Sequence, residues 1–442
     1  MSELDPRVEQ EVESLWHRVQ RTGMRRREFL TLLAAGGAAA VLVACGAEDE
    51  AEPTLAPTEE VMAPTEAPAP TEEPTAEAGN GDEEAEAAAP FAKPVLAPFF
   101  IVHGTNAETR MRPEVTEDYL TDSGLFFVRT HEAPPILDPA EWRLRIFGNA
   151  VENEIELTFE DLLAMPAQTV TRFIECAGNG RGLYDILLDN PGSGTQWITG
   201  AYGVGSWTGV RLADILERAG VMQSAVSVMG TGLDVTQVAK PMSIEKAMAD
   251  DTLVVYALNG APLPYDHGFP ARLLVPGYVG IFNVKWLGSL EVADEQLYSR
   301  WNTTSYILAG PEYSDPEGPP EGEPFNEQTV KSAIALPWPA TLSAGEQTIT
   351  GFAWSPYAEI ETVEVSLDGG QSWDTAELFG ENIAAAGTRW RYTFSAQPGE
   401  MTITTRATDA AGNTQWPVEE QVWNEQGYIW GAVIPHPVMV SG

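Results

Sequence analysis

The sequence predicts an α+β domain followed by an all-β, immunoglobulin-like sandwich. Between residues 96 and 322, short apolar runs typical of strands, such as 271–275, alternate with brief helical patterns. After the Gly/Pro-rich segment 318–322, period-two alternation recurs in four stretches, at 347–354, 362–367, 389–394 and 401–408. These observations divide the folded body into domains 96–322 and 323–442, and no disulfide is expected in the second.

Charge and cysteine content narrow the classes of function. The 442 residues include 25 basic and 65 acidic side chains, which gives a net charge of −40. Such a chain is not attracted to nucleic acid or to an anionic membrane surface, so we expect neither as an electrostatic partner. The two cysteines, Cys45 and Cys176, imply no disulfide framework.

Residues 1–45 have the pattern of an export signal. The pair Arg26-Arg27 stands just before an apolar, small-residue run at 30–43, which is too short for a stable membrane span. The run ends at Cys45 in a context that resembles a lipoprotein cleavage box. We expect twin-arginine export, with Cys45 lipidated at the outer face of the cell membrane. An ordinary amphipathic helix and a later start codon are the alternatives.

Residues 46–95 are rich in Ala, Pro, Thr and Glu and contain almost no large apolar side chain. Such a composition cannot bury enough surface to offset the entropy of ordering. We expect a disordered acidic tether that holds the folded body away from a membrane.

Two helices can be placed within domain 96–322. Thr158 and Asp161 have the spacing of a capping box before a short helix. Apolar residues recur at helical spacing from Leu212 to Ala219, and Gly220 is a typical helix end. The remainder predicts much irregular backbone, as in a fold that surrounds a cofactor with loops.

Cys176 follows the apolar run 170–174 and precedes a Gly/Asn-rich turn. This position predicts a thiol at the mouth of a loop, with free backbone N–H groups and the planar cation of Arg181 nearby. The alternative is a small buried hydrophobic residue, since free cysteine is among the most buried types. No Walker A, His-Glu-x-x-His or Cys-x-x-Cys motif occurs. Zinc, iron–sulfur clusters and covalently attached haem are therefore poorly supported.

Four segments concentrate unusual side chains: 126–131, 176–182, 195–207 and 255–287. They contain four of the scarce bases and two histidines, namely Arg129, Arg181, Arg272, Lys285, His131 and His267. Each residue alone would more often be a surface ion pair or an interior histidine.

Together and in order, the segments resemble a known family. Phe-x-x-Arg-x-His at 126–131, Cys-Ala-Gly-Asn at 176–179, Tyr-x-x-Asn-Gly at 256–260, His-Gly-Phe-Pro-x-Arg at 267–272 and Val-Lys-Trp-Leu at 284–287 carry the resemblance. The pattern is similar to the sulfite oxidase family of molybdenum enzymes, in particular its bacterial sulfite dehydrogenase branch, over roughly residues 98–440. It implies a sulfite-oxidase-type molybdopterin domain at 96–322 and a dimerisation domain at 323–442.

The resemblance also implies roles for individual residues. Cys176 matches the thiolate that binds molybdenum beside the dithiolene of molybdopterin, a soft ligand set suited to such a metal. The matches to cofactor contacts are His131, Asp234, His267, Arg272 and Lys285. The matches to the oxyanion pocket are Arg129, Arg181, Trp197 and Tyr256. Gly180 departs from the animal enzymes, which carry arginine there, and this leaves the charge of the pocket and the substrate range open.

The implied activity is molybdenum-dependent oxidation of sulfite to sulfate by oxygen-atom transfer. Since the sequence has no haem or flavin motif, the electrons would pass to an external acceptor such as cytochrome c. A homodimer through residues 323–442 is implied as well. The alternatives are a molybdenum-dependent reductase of a sulfoxide or nitrate, and a binding lipoprotein without cofactor.

Overall fold

The structure, a computed structural model, describes residues 91–113, 118–314 and 316–442. The predicted signal 1–45 and nearly all of the predicted tether 46–95 lie outside these residues. Export, lipidation of Cys45 and disorder of the tether therefore stay predictions. In the described part of the chain, no helix has the length and apolar character needed to cross a membrane.

Two five-stranded sheets build the first domain. The strands of the antiparallel sheet are Ala167–Glu175, Tyr202–Arg211, Leu253–Leu258, Ala261–Pro262 and Arg272–Leu274. The first of these strands ends directly before Cys176. The mixed sheet contains Arg143–Phe147, Ile155–Thr158, Ser227–Gly232, Ala239–Ser243 and Leu287–Ala293. Its last strand pairs parallel with the first and antiparallel with the third. A hairpin of Phe100–His103 and Asn106–Thr109 precedes both sheets.

The helices of the described residues are short. The α-helices are Phe159–Ala164, Arg181–Leu188, Leu212–Arg218, Ile244–Ala247 and Arg300–Thr303, and the 3₁₀ turns are Tyr265–His267, Gly280–Phe282 and Val418–Glu420. The capping box at Thr158 and the helix before Gly220 are confirmed. Because strands greatly outnumber helical turns, the predicted α+β class holds only loosely.

The second domain is an all-β sandwich, as predicted. One sheet contains Lys331–Ile334, Gly345–Trp354, Glu377–Ile383 and Gly387–Ala396. The other contains Ala340–Ser343, Ile360–Ser366, Asp374–Thr375, Gly399–Asp409 and His436–Ser441. Trp390 of one sheet and Val363 and Ile403 of the other belong to one buried core. The immunoglobulin-like topology stays a prediction. A small pair, Ile307–Leu308 with Glu323–Pro324, lies between the two domains in sequence.

Residues 416–434 follow most strands of the sandwich in sequence, and they pack against the first domain. The ring of Trp430 packs edge-on against Tyr184, with centroids 5.0 Å apart. Tyr428 belongs to the core of the first domain. Residues that follow the predicted boundary at residue 323 therefore also pack against the first domain.

Order begins earlier than the sequence predicted. The backbone N–H groups of Ala92 and Lys93 donate to the carboxylate of Asp266, at 3.0 and 2.7 Å. Asp266 is 1% exposed, so its carboxylate needs such partners. Residues 91–95 therefore belong to the folded body, and their assignment to the tether was wrong.

Candidate active site

Cys176 directly follows the edge strand Ala167–Glu175 of the antiparallel sheet. The pairing of Ala167–Glu175 with Tyr202–Arg211 runs as far as Glu175. The N–H of Cys176 then donates to the carbonyl of Ala201 at 2.9 Å, and the carbonyl of Cys176 accepts from the N–H of Asn179 at 2.9 Å. The residue is 6% exposed, and its thiol is free of any disulfide. Cys176 is thus buried, yet it lines the wall of two cavities.

The two cavities meet at three shared wall residues, Arg129, Cys176 and Tyr306. The wall of the first cavity includes His131, Asp234, Asp266, His267, Arg272 and Lys285. The wall of the second includes Arg181, Thr195, Glu425, Gln426 and Tyr428. All five residues that the sequence assigned to cofactor contacts thus lie around one cavity.

The cations of the first cavity are positioned by backbone carbonyls. Arg272 donates to the carbonyls of His267 and Asn283, at 2.9 and 2.8 Å. Lys285 donates to the carbonyl of Asp266 at 2.7 Å. Burial lowers the pKa of Arg272 to about 9. Burial together with repulsion from Arg272 lowers the pKa of Lys285 to about 7.

The two histidines of this cavity are held neutral. Burial, followed by the charge of Arg129, lowers the pKa of His131 to about 3. Burial and the charges of Lys93, Lys285 and Arg272 lower the pKa of His267 well below its usual value. Because neighbouring cations contribute to these shifts, an anion bound in this cavity would oppose them.

The walls of the first cavity fit an anionic, phosphate-bearing cofactor. Cations held at fixed positions bind phosphate oxygens well. In the described residues, no group of three His, Cys, Asp or Glu side chains forms a metal-binding cluster. A metal here would therefore take Cys176 as its protein ligand and its other ligands from the cofactor, as in a dithiolene complex.

Arg181 is fixed at the wall of the second cavity. Its Nε donates to the carbonyl of Gln426 at 2.7 Å, and its Nη1 donates to the carbonyl of Thr195 at 2.9 Å. The guanidinium also lies over the ring of Tyr428, 5.0 Å from the centroid. Two of these partners come from the C-terminal segment, so the second domain completes this cavity.

Arg129 is connected to the same wall through Asn106. Its Nη1 donates to the side-chain oxygen of Asn106 at 3.2 Å, and its Nη2 lies 2.9 Å from Nε2 of His131. The side-chain amide of Asn106 donates in turn to the hydroxyl of Thr195 at 3.4 Å. Since Thr195 also binds Arg181, one short network positions both arginines.

Tyr306 lies where the two cavities join. Its φ of 56° is unusual for a bulky residue, which indicates that its surroundings enforce this conformation. The ring stacks on Tyr428, with centroids 5.1 Å apart and planes 11° from parallel. Burial raises the pKa of Tyr306, although the charge of Arg129 opposes the rise. The hydroxyl is therefore protonated at neutral pH and can donate a hydrogen bond.

Tyr256 is not at this site, which corrects the sequence prediction. It is not a wall residue of either cavity, and its ring packs edge-on against Phe159, with centroids 6.4 Å apart. The reason is that it lies on the strand Leu253–Leu258 and packs against the main core. Tyr306 is the tyrosine that lines both cavities together with Cys176.

Trp197 lies behind the cavity wall. It is fully buried and packs edge-on against Phe127, which does line the first cavity. The indole Nε1 has no hydrogen-bond partner. The structure thus brings nine of the ten predicted site residues into or directly behind the two cavities, Tyr256 being the exception.

Gly180 does not face either cavity. Its φ is +96°, and a Cβ at this position would come within 2.6 Å of the Cβ of Trp430. The glycine is required by the backbone and by the packing of the C-terminal segment. The charge of the pocket is therefore set by Arg129, Arg181 and the mouth residue Glu425, which is exposed.

Sequence reasoning missed three wall residues, namely Tyr306, Gln426 and Tyr428. It also missed Lys93, whose ammonium lies 3.0 Å from Nε2 of the wall residue His267. The three wall residues belong to no motif, and the C-terminal pair lies about 250 residues after Cys176 in the chain. Lys93 could have been found, because it is the only basic residue within the predicted acidic tether.

Comparison with protein-family models gives two matches. Residues 131–301 match the oxidoreductase molybdopterin binding domain, and residues 323–433 match the Mo-co oxidoreductase dimerisation domain. The first match includes Cys176 and all five predicted cofactor contacts. These matches define the class as molybdopterin-dependent oxidoreductases.

The chain also resembles curated proteins along most of its length. It is 36% identical to mitochondrial sulfite oxidase of Homo sapiens over 341 residues, which is 72% of this chain and 62% of that protein. It is 34% identical to sulfite oxidase of Gallus gallus over 333 residues, 71% of this chain and 72% of that one. Identity to the NADH nitrate reductase of Ulva prolifera is 29% over 347 residues, 71% of this chain and 40% of that protein.

Among solved structures, the sulfane dehydrogenase SoxCD from Paracoccus pantotrophus is similar, with a TM-score of 0.68 and 30% identity. The match covers 76% of this chain and 86% of that one. The chain belongs to the sulfite oxidase family, and its cofactor is molybdopterin with molybdenum.

Proposed function

We propose that this protein oxidises sulfite to sulfate and passes the electrons to an external acceptor. The observation that carries the proposal is the junction of the two cavities. Arg129 and Arg181 line the second cavity beside Cys176, the ligand position for molybdenum, and Tyr306 joins them. Two forked cations suit a small oxyanion such as sulfite.

The balanced reaction is sulfite plus water giving sulfate, two protons and two electrons. Molybdenum held by Cys176 and the dithiolene supplies the oxygen-atom transfer and stores the electrons when the cofactor is bound. Arg129 and Arg181 bind and orient the anion, and their partners Asn106 and Thr195 keep them in place. The protonated hydroxyl of Tyr306 donates to an oxygen of the bound anion.

The electron acceptor that we propose is a basic cytochrome c. The net charge of −40 attracts a cationic partner and raises its rate of encounter at low ionic strength. Residues 323–442, which carry the dimerisation-domain match, would form the contact of a homodimer. Raising the salt concentration should therefore slow electron transfer to cytochrome c more than electron transfer to a small acceptor.

The test is a steady-state assay of protein made in a host that synthesises molybdopterin. We expect sulfite to reduce ferricyanide and then cytochrome c, with about one molybdenum per chain by metal analysis. Three alternative substrates are tested in parallel. Nitrate and a sulfoxide are each supplied with a reduced dye as electron donor, and a sulfane sulfur compound is included because SoxCD is a sulfane dehydrogenase. If one of these compounds is turned over and sulfite is not oxidised, the proposed substrate is wrong. Absence of molybdenum would favour a binding lipoprotein.

We further infer that the protein is exported by the twin-arginine route and anchored through Cys45. The signal pattern at 26–45 supports this location. Replacement of both Arg26 and Arg27 by lysine should leave the precursor in the cytoplasm. Cys45→Ala should release exported protein from the membrane fraction, and a variant that stays membrane-bound would contradict the lipid anchor.

A further inference from the structure

Residues 91–97, which we call the strap, lie against the wall of the first cavity. The strap holds both carboxylate oxygens of Asp266, through the N–H groups of Ala92 and Lys93. Asp266 is itself a wall residue of the first cavity. The carboxylate of Asp266 would repel an anionic cofactor in this cavity. The two N–H groups of the strap bind its oxygens and so offset part of that repulsion.

The ammonium of Lys93 points inward although the residue as a whole is partly exposed. It donates to the carbonyl of Phe126 at 2.5 Å and lies 3.0 Å from Nε2 of His267. Phe126 and His267 are 2% and 3% exposed, and both line the first cavity. In its charged form, Lys93 thus places a positive charge directly behind a wall that already includes Arg272 and Lys285.

The contact also determines which nitrogen of His267 carries the proton. When Lys93 is charged, its ammonium can only donate, so Nε2 of His267 then accepts. The imidazole is neutral, because burial and nearby cations lower its pKa. Its proton is therefore on Nδ1, which makes that nitrogen a donor for an acceptor such as a phosphate oxygen.

We propose that the strap is a clamp that retains the molybdopterin cofactor, with Lys93 as a further cofactor-binding residue. Lys93 supplies charge to the phosphate end of the cofactor and holds His267 as its Nδ1–H tautomer. The inference rests on the cofactor, which the family establishes, and is independent of whether sulfite is the substrate. Burial lowers the pKa of Lys93 to about 7 against the opposing charge of Asp266, and a bound anion would raise it.

The experiment measures release of the cofactor from purified full-length holoenzyme. Molybdenum and pterin that remain with the protein are followed over time after gel filtration. Loss of the charged contact in Lys93→Met should speed release roughly tenfold to a hundredfold, and Lys93→Arg should restore much of the retention. Ala92→Pro keeps the charge but removes one N–H donor to Asp266, so it should also release faster than wild type.

Lys246→Met is the matched control. Lys246 is another partly buried lysine that donates to a carbonyl, that of Pro276 at 2.8 Å, and it lines neither cavity. Its replacement should leave the release rate unchanged. Equal rates for Lys93→Met and wild type, or equal acceleration in Lys246→Met, would overturn the clamp. A wild-type protein that retains molybdenum without oxidising sulfite would overturn only the proposed substrate.

Discussion

Nζ of Lys331 lies 2.6 Å from Oε1 of Glu175, and the two side chains are 3% and 0% exposed. The other carboxylate oxygen accepts from the indole N–H of Trp354 at 2.8 Å. Glu175 directly precedes Cys176, whereas Lys331 and Trp354 belong to the second domain. The residue beside the metal ligand is therefore fixed by the neighbouring domain.

Lys331→Met should destabilise the protein strongly. It leaves the carboxylate of Glu175 buried without its cation, which typically costs about 3–5 kcal/mol of unfolding free energy. Urea denaturation followed by tryptophan fluorescence measures the change. The double variant Glu175→Gln, Lys331→Met should recover much of the loss, because it leaves no unpaired charge.

The control for that series is Arg391→Met, which breaks the exposed pair of Arg391 with Glu377. Exposed pairs contribute little, so the urea midpoint should scarcely change. Similar losses in the Lys331 and Arg391 variants would contradict the special importance of the buried pair.

Tyr306→Phe should lower kcat for sulfite, with molybdenum content unchanged, because the hydroxyl beside Arg129 is lost. A loss of roughly tenfold to a hundredfold corresponds to one charge-assisted hydrogen bond. Tyr256→Phe is the matched control, since that ring packs against Phe159 away from the cavities. If Tyr256→Phe proves the more damaging of the two, the assignment of the tyrosine reverts to the sequence prediction.

Gly180→Ala should destabilise the protein through the interface between its domains. The new methyl group meets Trp430 at a backbone conformation that disfavours any side chain. We expect a lower melting temperature with nearly unchanged KM for sulfite in the protein that remains folded. A selective change in KM at normal stability would show that position 180 does act on the substrate.

Lys240→Met should change how stability depends on pH. Lys240 is 2% exposed, and burial lowers its pKa from 10.5 to about 7. The unfolded chain therefore binds more protons between pH 7 and 10.5, and this group makes stability rise with pH across that window. Below pH 7 Lys240 is charged in both the folded and the unfolded chain, and its burial then lowers the free energy of unfolding by the full amount.

Lys240→Met removes this contribution, so the variant should be relatively more stable near pH 6 and lose the advantage towards pH 10. Urea midpoints measured across the series for both proteins provide the test. The same pH slope in variant and wild type would show that Lys240 does not titrate in this window.

Much of the site could be predicted because its residues lie in local motifs. Cys176 and Arg181 share one turn, and His267 and Arg272 share another, so short spacing encodes their proximity. Period-two alternation likewise placed four of the nine strands in the two sheets of the second domain to within a few residues at each end. These features depend on neighbours in the chain, which sequence patterns report directly.

The missed residues depend on tertiary contacts. Tyr306 reaches Cys176 through a left-handed backbone conformation in an irregular segment, for which period and propensity give no signal. Tyr256 lay in a motif, but its strand turns the side chain to the core. The sequence prediction placed Lys93 in the tether because of the composition around it. Its contacts are tertiary: the ammonium donates to the carbonyl of Phe126, and the backbone N–H donates to the carboxylate of Asp266.

The contribution of Gln426 and Tyr428 to the second cavity has a consequence for biosynthesis. Both residues are translated after the whole of the first domain and almost all of the sandwich. Domains generally fold in order as they leave the ribosome, so the walls around Cys176 can form while Arg181 has the carbonyl of Thr195 but still lacks that of Gln426. A chain still in synthesis can thus build the cofactor cavity but has no finished place for the substrate.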